Sequence, residues 1–196
     1  MATTTGGAIP ITNSLTCPQA GGGSKNAGGP FQWGDIIVVG LDSNATRPTE
    51  LLEQADWLRE HLAQDYLHKF VIFYHPVFSS RASWSPQLPG PGRPMASIFV
   101  EYGVDIVFNG HAHNYERIEQ DGITYLVVGG GRGPLYPLAE DRVPGSQVGY
   151  DEFHFYLRVF TSPKGIEVEV VKVARVVGGE VIPEEGLLDH FYLPAD

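Results

Sequence analysis

From Asp35 onward the apolar residues fall into short continuous runs separated by one amphipathic stretch and by glycine or proline punctuation. Ile36 to Leu41 is such a run, and its unbroken apolar character predicts a strand buried on both faces, ended by Asp42, Ser43 and Asn44. After Pro48 and Thr49, the residues Leu51, Leu52, Ala55, Leu58 and Leu62 recur at helical spacing, with Glu50 and Glu53 in the first turn. This pattern predicts an amphipathic helix running to about Gln64. Lys69 to Tyr74 reads as a second buried strand, stopped by His75 and Pro76. The stretch from Pro76 to Pro94 also carries Pro86, Pro89 and Pro91, which predicts an irregular loop of a length more often functional than spacing. Met95 to Tyr102 reads as a short helix and Val104 to Asn109 as a third buried strand, closed by Gly110 and His111. Strand, helix, strand, helix, strand in this order predicts right-handed crossovers between parallel strands. Beyond them Ile123 to Val128, Phe153 to Phe160, Ile166 to Ala174 and His190 to Leu193 read as strands joined by turns. The fold class is therefore α/β, a mixed β-sheet with flanking helices, parallel in its first strands and antiparallel in its later ones. Residues 1–30 read as a Gly-rich loop or mobile arm, and residues 31–196 as one domain without internal repeats.

Composition sharpens this picture. With 196 residues, 42% of them hydrophobic and 18% charged, the chain has the makings of a packed core. Thirteen basic against 23 acidic side chains give a net charge of −10, and no basic run forms a phosphate-tracking stripe, which argues against nucleic acid as a partner. Residues 1–69 carry 4 basic and 7 acidic groups, residues 70–117 carry 3 and 3, and residues 118–196 carry 6 and 13. An anionic substrate is thus tolerated only by the neutral middle third, unless a metal ion reverses the local field. The single Cys17 excludes an internal disulfide. No apolar run approaches ~18 residues and Met1 to Pro30 lacks the pattern of a signal peptide, so no membrane association is expected.

The candidate chemistry lies in that middle third. His75, His111 and His113 each follow a buried strand, and in open α/β sheets ligands bind beyond the carboxyl ends of the strands. Three imidazoles converging there are candidate metal ligands, with Gly110 allowing the turn between them; the alternative for any one of them is a carbonyl cap. Arg81 and Trp84 on the proline-rich loop are candidate substrate-binding residues, Arg81 as a phosphate fork and Trp84 as a wall. Asp42 and Asn44 fit a turn-and-cap role better than a ligand role. Glu116 and Arg117 are expected to orient the histidine loop from behind. His61 and His68 read as helix-surface and linker residues, His154 and His190 in their strand patterns read as structural, and Gly129 to Gly131, with no Gly-Lys-Ser/Thr after them, make a poor phosphate loop.

The segment Gly110, His111, Ala112, His113, Asn114, Tyr115, Glu116, Arg117 resembles the Gly-His-x-His signature of the calcineurin-like metallophosphoesterases, in the form typical of purple acid phosphatase-like proteins. Val71 to Pro76, Trp33 to Asn44, Gln54 to Leu58, Gly129 to Gly133 and Leu188 to Tyr192 resemble further elements of that family in the same order. The resemblance implies the C-terminal half of an α/β/β/α sandwich and the hydrolysis of a small phosphate ester, monoester or diester, by a metal-bound hydroxide. It implies one or two divalent ions of zinc, manganese or iron, with His75 and His111 on one ion, His113 on the other, and His111 and His113 as the catalytic pair. Two ions ~3.5 to 4 Å apart clamp the attacking and departing oxygens. The family's carboxylate ligands, its asparagine ligand, its acid histidine and the tyrosinate behind the purple colour all precede the matching region, and residues 1–30 contain no Asp, Glu, His or Tyr. A colourless protein with an incomplete ligand set is therefore expected. Three readings stay open: a metal-dependent phosphoesterase, a non-catalytic fragment or interaction module, and a mononuclear three-histidine hydrolase. The doubly apolar strands further predict an uncovered sheet face, closed by a homodimer or by a missing N-terminal half.

Overall fold

The computed structural model describes residues 29–44, 47–83, 93–131 and 133–195. Ten strands and two α-helices are found among them. Strand β1 (Pro30–Trp33) runs antiparallel to β2 (Ile36–Gly40), and α1 (Pro48–Leu62) leads to β3 (His68–Phe73), which pairs parallel with β2. A 3-10 turn (Arg93–Met95) and α2 (Ala96–Glu101) lead to β4 (Ile106–Asn109), parallel to β3. The predicted strand–helix–strand–helix–strand unit is present, with α1 two residues shorter at its end than the periodicity suggested. Pro48 opens that helix, Glu50 lies in its first turn, and Ala55, Leu58 and Leu62 are buried.

The back half departs from the expectation in how its strands are distributed. Strand β5 (Tyr115–Gln120) turns into β6 (Ile123–Val128), and β6 inserts between β4 and β5, parallel to β4. With β7 (Ser146–Tyr150) the large sheet has the order β1-β2-β3-β4-β6-β5-β7. The remaining strands, β8 (Phe153–Ser162), β9 (Gly165–Val177) and β10 (Glu180–Pro194), form a separate antiparallel sheet of three. β10 runs far beyond the expected His190 to Leu193, because an edge strand tolerates Pro183 and the irregularities between Pro183 and Asp189 that hide it from pattern reading.

Both faces of the large sheet are in contact with protein. One core joins Ile37, Val39, Val71, Phe73 and Val107 to Leu58, Leu62, Ile98 and Phe99 of the helices. The other joins Phe70, Ile106, Tyr115 and Leu126 to Phe155, Ile166, Val168 and Val170 of the small sheet. The expectation of a wholly uncovered face is thereby corrected: helices alone do not cover these strands, and the chain supplies its own second sheet. The cover stops short of one end. Phe31 and Trp33, paired with Val38 and Ile36, and Ile72, paired with Phe108, lie on the small-sheet face and stay exposed, with Tyr74 just beyond them. Among the described residues no helix is long and apolar enough to cross a membrane.

Candidate functional site

The parallel strands β2, β3 and β4 end on the same side of the sheet, and that edge collects the histidines. His75 follows β3, and its position is fixed by Ser43 at the end of β2. The Ser43 hydroxyl accepts the His75 backbone N–H at 3.0 Å and lies 2.9 Å from His75 Nδ1. Ser43 in turn is held by a loop docked on α1: Asp42 N donates to Gln54 Oε1 at 2.7 Å and Gln54 Nε2 donates to the Asp42 carbonyl at 3.1 Å. Asp42 Oδ1 accepts from Asn44 N at 2.8 Å and from Asn44 Nδ2 at 3.2 Å, so both residues serve the turn, as their sequence context suggested. In the sequence Ser43 reads only as one of the residues that end β2, and nothing there marks it as a histidine's partner.

Strand β4 ends in Asn109, whose Nδ2 donates to the Phe73 carbonyl at 3.1 Å and ties the two strand ends together. Gly110 follows, and then His111 adopts a left-handed backbone with φ of 58°. A residue with a β-carbon adopts this conformation uncommonly, although histidine does so more readily than most. It sets the His111 ring 4.8 Å from that of His75, with Tyr74 edge-on to both at 4.9 Å. Burial, and then the charges of His75, Arg81 and His113, push the His111 pKa below its ordinary 6.5. The unfolded chain therefore takes up this proton at a higher pH than the native protein does, and the native state loses stability as pH falls below about 6.5. Urea unfolding of the metal-free protein is expected to give a lower midpoint at pH 5 than at pH 7.5, with the decrement reduced in His111→Asn; an equal decrement in the variant would refute this assignment.

His113 is turned another way. Its Nδ1 donates to the Pro134 carbonyl at 2.8 Å, which places the ring's lone pair on Nε2, and its ring stacks on Tyr136 at 4.4 Å and 9°. The backbone of residues 134–139 binds the two loops that frame the edge. Tyr136 N donates to the His113 carbonyl at 2.9 Å, Ala82 N to the Pro137 carbonyl at 2.9 Å and Ala139 N to the Ser80 carbonyl at 2.7 Å. The Arg81 guanidinium lies over the same Tyr136 ring, 3.9 Å from its centre. Arg81 thus reaches the histidine edge, whereas Trp84 lies outside the described residues.

Glu116 and Arg117 belong to β5 and have separate roles. Glu116 is fully buried and accepts Ser80 N at 2.7 Å, the Ser80 hydroxyl at 2.5 Å and the Ser146 hydroxyl at 2.7 Å. It therefore fixes the segment that carries Arg81. Arg117 does not support the histidine turn: its Nε donates to Asp189 of β10 at 2.8 Å and its guanidinium stacks on Phe191, which fastens the two sheets together. Tyr115 also donates to Asp189, at 2.7 Å, and burial together with that carboxylate pushes its phenol far above the ordinary range. His154 caps the Gly130 carbonyl at 2.9 Å, and His68 caps the Ser162 carbonyl at 2.8 Å. The glycine loop packs closely against the histidine turn: a β-carbon at Gly129 would meet the Ala112 carbonyl oxygen at 2.0 Å.

The donor set fits part of a metal site only. Among the described residues no group of three His, Cys, Asp or Glu side chains stands close enough to hold an ion. His75 and His111 meet, His113 faces the 134–139 segment, and the nearest buried carboxylate, Glu116, is committed to Ser80 and Ser146. Two neutral imidazoles do not offset the repulsion of two dications, so these residues by themselves do not fit a dinuclear centre.

No family model matches the chain. A stretch of 91 residues is 33% identical to Purple acid phosphatase 15 of Arabidopsis thaliana, covering 40% of this chain and 17% of that protein. Another comparison aligns 93 residues at 31% identity with the phosphoenolpyruvate phosphatase of Allium cepa, covering 45% of this chain and 19% of that protein. The chain therefore spans less than a fifth of the curated relatives it matches. Among solved structures, GAP50, the anchor in the inner membrane complex of Plasmodium, superposes with a TM-score of 0.64 at 16% identity, covering 82% of this chain and 50% of that one. The purple acid phosphatase PPD1 from yellow lupin seeds superposes with a TM-score of 0.63 at 20% identity, covering 79% and 31%.

Proposed function

We propose, on the premise of a metallophosphoesterase-like fold, that the histidine edge is one side of a site for small phosphate esters. The observation that carries this reading is the His75–His111 pair, 4.8 Å between rings, at the carboxyl ends of two adjacent parallel strands. Arg81 supplies a forked cation for phosphate oxygens, and His113, with Nδ1 held by a carbonyl, presents Nε2 as a ligand or proton acceptor. The imidazoles are this chain's share of a divalent-ion ligand set. The acidic share comes from outside the described edge, either from a second copy of the chain or from another segment, and no hydrolytic step is derived from the histidines alone.

Hydrolysis of p-nitrophenyl phosphate and bis-p-nitrophenyl phosphate with added zinc, manganese or iron tests the reading. Metal-dependent turnover that falls by about 100-fold in both His75→Ala and His111→Ala is the expected result. The second reading, a non-catalytic module, is favoured by the uncommitted carboxylates missing from the edge and by the likeness to a protein described as an anchor. Absence of metal-dependent turnover on both esters would establish it over the first. Self-association through Phe31, Trp33 and Ile72 is the assembly that accompanies either reading. Light scattering is expected to give twice the chain mass at micromolar concentration, and a single 21.4 kDa species would exclude the dimer.

A further inference from the structure

Tyr136 carries no sequence signal of its own, yet its ring contacts two of the candidate site residues. Its ring has the Arg81 guanidinium 3.9 Å from its centre and the His113 imidazole stacked at 4.4 Å with 9° between planes. Its own backbone is pinned to the histidine turn, through its N–H to the His113 carbonyl at 2.9 Å and through its carbonyl, which accepts Asn114 Nδ2 at 3.3 Å. The residues beside it hold the other loop, where Leu138 forms an isolated β-bridge with Arg81. Gly133 fits this arrangement: with φ of 99° it turns the chain into the segment, and a β-carbon there would meet the His113 ring at 3.4 Å.

We propose that Tyr136 is a positioning residue for phosphate-ester binding, its ring setting the separation and orientation of the Arg81 guanidinium and the His113 imidazole. This rests on the reading of the edge as a phosphate-ester site. The physical basis is that a flexible arginine loses side-chain freedom when it binds a phosphate, and an aromatic face that already holds the planar guanidinium lowers that cost. The same ring restrains His113 on the far side of the turn, so one side chain sets the geometry of both groups.

The test uses the full chain with zinc and inorganic phosphate as the probe. Titration calorimetry reads affinity, and proton NMR reads the ring-current displacement of the His113 imidazole protons. Tyr136→Leu is expected to abolish that displacement and weaken phosphate binding about 10-fold, while Tyr136→Phe, which keeps both stacks, restores affinity to within about twofold of wild type. Arg81→Lys is expected to weaken binding by a similar factor, and the double variant Arg81→Lys, Tyr136→Leu to lose little more than either single one, since both changes remove the same held guanidinium. Should Tyr136→Leu fail to fold, Tyr136→Met compared with Tyr136→Phe provides the same contrast. Wild-type protein that binds phosphate with an affinity unchanged in the Leu or Met variant would overturn the positioning role alone. Wild-type protein that binds no phosphate would overturn the phosphate-ester reading and this role with it.

Discussion

Glu116→Ala is expected to be the most destabilising single substitution in the buried polar structure, costing about 3 to 5 kcal/mol. The side chain is completely buried, and its oxygens take the Ser80 N–H, the Ser80 hydroxyl and the Ser146 hydroxyl. Ser80 Oγ also accepts Val143 N at 2.9 Å, so the carboxylate joins the 76–82 segment, β7 and the turn before it. Among the described residues the one cation in ion-pair reach is Arg142, whose Nη1 lies 4.0 Å from Glu116 Oε1. Removing the carboxylate strands a buried backbone donor and two hydroxyls and leaves a cavity that solvent does not reach. The thermal midpoint should fall by roughly 10 °C, at about 2 to 4 °C per kcal/mol for a chain of this length. Glu116→Gln keeps the shape and one acceptor oxygen, and is expected to recover more than half of the loss. A midpoint for Glu116→Ala within ~3 °C of wild type would sink the claim.

The second large effect is expected at Gly129. A β-carbon there would lie 2.0 Å from the Ala112 oxygen, 2.7 Å from the Ala112 carbonyl carbon and 3.2 Å from His113 Cα. All three atoms are backbone, so the collision is relieved only by moving the His111–His113 turn or the end of β6. Gly129→Ala should therefore cost about 3 kcal/mol and displace the histidines together. Gly131→Ala is the control, because a β-carbon at that position meets nothing within 4 Å. Thermal melting together with NMR of the histidine side chains reads both consequences. Wild-type histidine spectra in Gly129→Ala would show that the contact is not required for the turn.

The elements that the sequence made legible are those whose pattern is self-contained. Ile36 to Leu41 is apolar on both sides because both sides are covered, in Lys69 to Tyr74 the cover holds for Phe70, Val71 and Phe73 while Ile72 and Tyr74 stay exposed, and Ala55, Leu58 and Leu62 mark the buried stripe of the helix. Strand β5 was not legible, because Tyr-Glu-Arg-Ile-Glu-Gln carries charges that a pattern reading sends to the surface. Its Glu116 and Arg117 are inside or partly inside only because Ser80, Ser146 and Asp189 meet them from distant parts of the chain. The partition of the late strands into a second sheet was hidden for a related reason, since alternation reports that a face is buried and not which element buries it. At the site, the nearness of His75 and His111 follows from their places after adjacent parallel strands, whereas the direction of His113 depends on Pro134 and Tyr136, which no spacing rule connects to it.

The two sheets also differ in how far along the chain their neighbours lie. In the small sheet each strand follows the last through a tight turn, Ser162 pairing with Gly165 and Val177 with Glu180. In the parallel ladder Ile36 pairs with His68 and Phe70 with Ile106, two pairings that each wait for a crossover of more than 30 residues, whereas Ile106 pairs with Thr124 over a shorter one. Loop-closure entropy and contact order then separate the two in time. Local encounters are expected to favour the β8–β10 meander and the β1–β2 and β5–β6 hairpins ahead of the pairing of β2, β3 and β4. The histidine edge, which exists only once β3 and β4 lie side by side, is among the last features of the molecule to form.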